Sequence, residues 1–295
     1  MPAGGTWTVQ NKQRPGAYIN FVSVPKPVGN IGDRGVVTCA LPMTWGPAGQ
    51  LITLYGEDLL NGKSIPKIGC DAFDTAESLP YRLALAGSYK ALLYRTDTGG
   101  TKATAVISAG SLTANAKYAG TTGNSVSVVI TADKPAKGQY QVDVLFKLIQ
   151  KESFVVEELT DFSDIESEWV DFIVAESPSS SEIPETAGTV LSGGTNGTVN
   201  SDVYSGYFNA VSGETWQCMG VNSVDDAVQP LIVDFIKLMR NTRGKKVQAV
   251  VYDHNDADFE GIISVNLGYV TDTDTVGVDL FPLVVASIAA GANIN

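Results

Sequence analysis

The chain has 295 residues, 44 % hydrophobic and 18 % charged, a length that suits two domains and a composition that excludes a disordered protein. Its 20 Lys and Arg against 32 Asp and Glu give a net charge of −12, which excludes a nucleic-acid binder working through clustered cations. No apolar run reaches the roughly 18 residues of a membrane span, and the opening Met1-Pro2-Ala3-Gly4-Gly5 does not read as a secretion signal.

In chain order, residues 1–21 read as an extended arm. Thr6-Trp7-Thr8-Val9 and Ala17-Tyr18-Ile19-Asn20-Phe21 are strand-prone, with turn chemistry from Asn11 to Gly16 between them. Trp7, Tyr18 and Phe21 suit either a core or an intersubunit surface, and the residues alone leave both open. Residues 22–96 read as the first part of an α/β core. Gly35 to Leu41, Gln50 to Tyr55 and Tyr89 to Tyr94 are strand patterns, and Ser78 to Ala86 is helical. Residues 97–180 read as an antiparallel β-sandwich, with strand runs at Thr101 to Ser108, Ser125 to Ala132, Tyr140 to Ile149 and Phe154 to Leu159. Ser163 to Trp169 reads as a short helix or turn, and Ser177 to Pro184 as a linker.

Residues 181–295 return to an α/β pattern. A helix starts at Ser201 or Asp202 and a second at Asp225 or Asp226, the latter ending at Arg243-Gly244 in the order a C-cap requires. Val247 to Tyr252 is apolar but for Gln248 and reads as a central parallel strand, Ile262 to Val265 is another strand, and Val284 to Ala290 is helical. Alternating strands and helices predict a mostly parallel sheet with helices packed on it. Cys39, Cys70 and Cys218 are odd in number and lack C-x-x-C spacing. They read as reduced core residues made in a cytoplasm.

Motifs for chemistry are weak. His254 is the single histidine, it lies in the polar loop Tyr252-Asp253-His254-Asn255-Asp256, and no G-x-S-x-G elbow occurs, so a triad has no visible base and nucleophile. The acidic run Asp253 to Glu260 puts Ala257 and Asp258 where an EF-hand has a ligand and glycine. The run from Asp272 puts Leu283 where that loop has its glutamate. Gly193-Gly194-Thr195-Asn196-Gly197 and Gly99-Gly100-Thr101-Lys102 lack phosphate-loop spacing and read as turns. The expectation is no catalytic site, no metal site and no cofactor.

Six stretches in order resemble the contractile phage tail sheath family, in the form found in Gram-positive prophages and phage-tail-like bacteriocins. They are Gly4 to Lys12 with Arg14 to Phe21; Gly32 to Val37 with Trp45-Gly46-Pro47; Tyr94-Arg95 with Gly99 to Ala105; Ala116 to Asn124; Leu191 to Gly197; and Gly244 to Val251 with Glu260 to Val265. The resemblance implies an inserted sandwich in an α/β core of subtilisin-like topology. It implies a structural, non-enzymatic subunit of a helical homo-oligomer that surrounds a tail tube and contracts to drive it through a bacterial envelope. Tail tube, baseplate and tail terminator proteins are the implied partners, with no nucleic acid and no membrane insertion. Assembly would occur in the bacterial cytoplasm, and the product would be a phage tail or bacteriocin particle. Trp7, Thr8, Val9, Tyr18, Ile19 and Phe21 are the residues implied for strand exchange between subunits. Family members continue past this point with a smaller C-terminal domain, so the close at Gly291 to Asn295 reads as a cut. The other classes weighed are a serine-hydrolase-like enzyme and a β-sandwich surface adhesin.

Overall fold

The computed structural model describes residues 35–74 and 76–292; the expected arm, residues 1–21, lies outside them. The first elements are β1 (Val36–Leu41), β2 (Leu51–Tyr55), the short helices α1 (Gly56–Leu60), α2 (Ile65–Ile68) and α3 (Leu79–Ala84), and β3 (Lys90–Arg95). Next come β4 (Asp97–Thr98), β5 (Lys102–Ser108), β6 (Leu112–Ala119), β7 (Val126–Ala132), β8 (Tyr140–Phe146), β9 (Ile149–Val156), β10 (Val170–Val174), β11 (Thr186–Val190) and β12 (Thr198–Val199). The last part holds α4 (Val203–Ser212), β13 (Cys218–Val221), α5 (Val228–Lys237), β14 (Gln248–Tyr252), β15 (Ile262–Val265), the small strands β16 (Tyr269–Val270) and β17 (Thr275–Val276), and α6 (Phe281–Gly291).

Among the described residues, one sheet has six strands in the order β15-β14-β13-β1-β3-β2. Every pairing in it is parallel except that of β2 with β3. The central β1 is buried along its whole length because helices cover both faces. Val37, Cys39 and Leu41 pack towards α3 and α6. Val36 and Ala40 pack towards Tyr204 and Tyr207 of α4 and Ile232 and Ile236 of α5. Thr38, polar on that second face, donates to the Leu92 carbonyl at 3.1 Å and shares a 2.9 Å bond with the Tyr207 hydroxyl. Its burial therefore leaves no stranded hydroxyl.

The sandwich consists of a three-stranded sheet, β10-β6-β5, and a four-stranded sheet, β11-β7-β8-β9, antiparallel throughout. Alternation on β8 buries Val142, Val144 and Phe146 against Val126, Val128 and Ile130 of β7.

The structure departs from the sequence reading in several places, and the strands β6 and β10, which that reading did not mark, are among them. The run from Tyr140 to Ile149 is not one strand. It turns back at Lys147 and Leu148, which adopt φ of +49° and +65°, a conformation that tight hairpin turns demand and that these residues rarely supply. The sandwich also extends past residue 180, because β11 pairs with β7. Finally, Ser177 to Pro184 is fastened to the sandwich: the Ser179 N–H donates to the Gly110 carbonyl at 3.1 Å, and Ile183 is buried in the sandwich core. Serine and proline supply turn chemistry there without marking a domain boundary.

The helix α6 rests on β13 at Gly220, where an added Cβ would lie 2.9 Å from the Ala286 Cβ and 3.1 Å from the Pro282 carbonyl. Gly220→Ala is expected to cost about 1–3 kcal/mol by forcing the helix off the sheet, read as a lowered urea midpoint with the slope unchanged. Burial pushes the Cys70 and Cys218 thiols up to about 12 and raises Cys39 as well. A thiol-reactive dye at pH 8 should therefore leave all three unlabelled in the native protein and label all three in denaturant.

Candidate functional site

The two kinds of sheet are joined at a junction whose segments come from distant parts of the chain, and a separate ion pair, Lys147 with Asp74 at 2.7 Å, links them elsewhere. The chain enters the sandwich through β4 and leaves through β12, and these two strands pair antiparallel, Thr98 opposite Thr198. The pairing continues at Thr101 and Thr195, whose backbones exchange bonds of 3.1 and 3.2 Å. A Cβ on Gly100 would sit 2.5 Å from the Thr195 carbonyl, and one on Gly197 would sit 2.3 Å from the Thr98 carbonyl. Only glycine lets the two connections close on each other. Asn124 takes up the backbone of Gly194, accepting from its N–H at 2.8 Å and donating to its carbonyl at 2.9 Å. These glycine-rich stretches serve close packing.

Beside the paired connections lies a buried ion pair. Arg95 ends β3 and Asp97 opens β4, and their side chains are 3 % and 2 % exposed. The Arg95 Nε lies 3.0 Å from both carboxylate oxygens, and Nη2 adds a second charge-assisted bond. Nη1 donates to the Gly46 carbonyl at 3.0 Å and to the Ala119 carbonyl at 2.7 Å. Asp97 in turn accepts the Met43 N–H at 2.7 Å and the Gly197 N–H at 3.3 Å. The loop after β1, the end of β6 and the returning connection are thereby tied to one pair of charges. Burial works to raise the Asp97 pKa, but Arg95 and the two N–H donors together hold it below the ordinary carboxylate value.

Trp45 completes the junction. It belongs to the loop after β1, yet it is fully buried in the sandwich core. Its ring stacks on Trp169 at 5.6 Å between centroids and meets the edge of Tyr118 at 5.2 Å, and Trp169 stacks on Phe146 at 4.7 Å. The indole N–H donates to the Pro66 carbonyl at 3.0 Å, so the polar end stays anchored in the α/β domain. The backbone approaches closely here: a Cβ on Gly120 would fall 1.9 Å from the Thr44 carbonyl.

The six arm residues Trp7, Thr8, Val9, Tyr18, Ile19 and Phe21 lie outside the described residues. His254 follows β14, and its backbone N–H donates to the Ser264 hydroxyl at 3.1 Å, while that hydroxyl donates to Asn255 at 3.1 Å. Ser264 is thus held by backbone and amide. Among the described residues, no group of three or more His, Cys, Asp or Glu is placed to hold a metal ion. Sequence reasoning gave no role to Arg95, Asp97, Trp45 or Trp169. The first three sit in or beside stretches that carried the resemblance, which is the signal that pointed to them.

Asp97→Asn is expected to destabilise the fold by about 3–5 kcal/mol, since it strands the Arg95 charge in the interior. Trp45→Ala is expected to cost about 3–5 kcal/mol by emptying the aromatic stack. Urea titration reads both. Because the folded pKa of Asp97 is depressed, its contribution is fully present above about pH 3.8 and is lost as pH falls through the lower folded value. Asp97→Asn should therefore flatten the acid limb of the stability curve.

Comparison with known proteins bears on this arrangement. Residues 98–196 match the family described as the phage tail sheath protein beta-sandwich domain. The chain is 29 % identical over 307 residues to the phage-like element PBSX protein XkdK of Bacillus subtilis (strain 168), covering 99 % of this chain and 64 % of that one. A solved sheath tail protein of Desulfitobacterium hafniense superposes with a TM-score of 0.75 at 32 % identity, covering 94 % of this chain and 62 % of the other. A sheath tail protein of Listeria innocua gives 0.76 at 28 %, covering 88 % and 57 %. The chain spans less than two thirds of the length of each. With residues 98–196 matched to that sandwich domain and most of the chain matched in solved sheath proteins, the chain is similar to phage tail sheath proteins over nearly its whole length.

Proposed function

We propose that this chain is a structural subunit of a contractile tail sheath, a mechanical element and not an enzyme. Subunits polymerise helically around a tail tube, with baseplate and tail terminator proteins at the ends of the polymer. Contraction drives the tube through a bacterial envelope, using energy held in metastable packing and no cofactor. The α/β part takes a subtilisin-like topology, assembled from residues 22–96 and from the segment that follows β12 around the inserted sandwich, with residues 1–21 as the arm. The arm adds a strand to a neighbour's sheet. Main-chain bonds along the arm, which includes Thr8, Tyr18, Ile19 and Phe21, supply the grip, while Trp7 and Val9 fill pockets.

The observation that carries this reading is the sheath-type sandwich at residues 98–196, set into a parallel-sheet domain that superposes on two sheath tail proteins. The junction supports it too. A subunit that transmits force between an inserted domain and its host needs a stiff joint, and the buried Arg95–Asp97 pair with the Trp45 stack is one.

Negative-stain electron microscopy of the purified protein, alone and with its tail tube protein, is the test. Hollow striated tubes are expected, and deletion of residues 1–21 should abolish them while leaving the circular dichroism spectrum of the folded body intact. Monomers in every condition of salt, concentration and added tube would overturn the reading.

A further inference from the structure

The carboxyl ends of β1 and β13 point into a crevice where the strand order of the parallel sheet reverses, since the chain passes from β1 to β3 on one side and to β13 on the other. Such a switch point leaves an opening between neighbouring loops. Here it is a cavity of about 270 Å³. Its lining is mixed: Pro42, Val199, Val224 and Val228 are apolar, and Asn200, Asn222, Ser223 and Asp225 are polar. Asp225 is the one carboxylate in that lining, and Asp279 lies 3.4 Å from the amide of the lining residue Asn222.

Its floor carries an unmet polar group. Tyr204 lines the cavity and is 0 % exposed, and its hydroxyl closes no hydrogen bond of ordinary geometry, although the Ser223 side chain lies near enough to bear on it. A buried hydroxyl without a firm partner is costly and marks a place where another group fits. Apolar side chains, the Asp225 carboxylate and the Tyr204 hydroxyl around one cavity suit an arginine side chain. Arginine has a stem that packs on apolar surface and a head of five donors that suits both a carboxylate and a phenolic oxygen.

The chain itself offers that arginine. Among the described residues, Arg82 pairs with Asp274, Arg95 with Asp97 and Arg240 with Glu260, whereas Arg243 is exposed and in no ion pair. It stands on the turn before β14, beside Gly244 at φ +68°. That turn is at the amino edge of the parallel sheet, because Cys218 and Gln248 are partners in register. The crevice is at the carboxyl edge. The helical run between them, α5 with its continuation through Thr242, spans about 20 Å at 1.5 Å per residue, so Arg243 cannot reach the crevice of its own chain.

We infer that Arg243 of one copy seats in the Tyr204–Asp225 crevice of the next, a head-to-tail contact that repeats along the polymer. The contact is heterologous, joining two different patches, and such contacts propagate into rings or helices. This inference rests on the polymer reading above and assigns one of its interfaces.

Charge exchange tests it. Arg243→Glu and Asp225→Arg are each expected to weaken self-association by tenfold or more, roughly the effect of removing one member of a buried charge pair. Sedimentation velocity reads the loss, and circular dichroism checks that each variant is folded. Mixing the two variants should restore association, because every contact in an alternating polymer then joins opposite charges. The intact Arg243 of one variant meets the intact Asp225 of the other, and the two substituted positions meet with their signs exchanged. Tyr204→Phe should weaken association several-fold with the fold intact. Association unchanged by either single variant, or no recovery on mixing, overturns the contact. In that case, tubes that still form in the microscope keep the sheath reading and move the interface elsewhere. A native protein that stays monomeric at every concentration overturns the contact as well.

Discussion

A guanidinium and a carboxylate two residues apart, both withdrawn from water, hold the molecule's two parts in register. Desolvating such a pair costs several kcal/mol per ion, and the cost is offset only when every remaining donor and acceptor is met. Arg95 and Asp97 meet that condition by recruiting Gly46, Ala119, Met43 and Gly197, which come from separate segments of the chain. The pair therefore contributes little to raw stability compared with an apolar substitute and much to uniqueness. A different seating of the sandwich would leave a buried charge unpaired. Trp45 supplies the complementary term, large apolar burial across the same boundary.

The parts of the fold that were legible in sequence are those whose burial is uniform. Val247 to Tyr252 read as a central strand, and Ala249, Val250 and Val251 are indeed buried; Val36–Leu41, read simply as a strand, is buried along its whole length because helices cover both faces. The helix α5 was legible as a helix, but its apolar face was not: spacing put Leu231, Phe235 and Leu238 on it, and the structure exposes Leu231 and Leu238 while burying Ile232, Phe235, Ile236 and Met239. The sandwich was harder. Strand β6 is Leu-Thr-Ala-Asn-Ala-Lys-Tyr-Ala, poor in branched residues, because Ala114 and Ala116 are buried where space is tight, with Gly123 packed against Ala116. The hairpin at Lys147 and Leu148 carried no glycine to announce it.

The junction was nearly invisible for a different reason. Arg95-Thr96-Asp97 has the look of a polar surface turn, and its burial depends on backbone groups up to 100 residues away. Trp45 in a Trp-Gly-Pro turn gives no hint that it enters the core of another domain. Composition and periodicity report on local environment, whereas these residues are defined by what arrives from elsewhere. The order of short stretches along the chain carried that information, which is why the resemblance reached the junction residues before any physical argument did.

The antiparallel pairing of β4 with β12 has a geometric consequence. Because Thr98 and Thr198 sit opposite each other, about 5 Å apart, the sandwich hangs on the α/β domain by what amounts to a single stalk. Excising everything between those residues would leave ends that a two-residue turn could join. The host sheet is then topologically indifferent to what is inserted, and the sandwich is a cassette. A load applied to it reaches both strands of the stalk in the same direction, so they share the tension and their mutual hydrogen bonds are not sheared. Pulling is thus borne by two covalent chains in parallel, while bending and twisting fall on the ion pair and the aromatic stack.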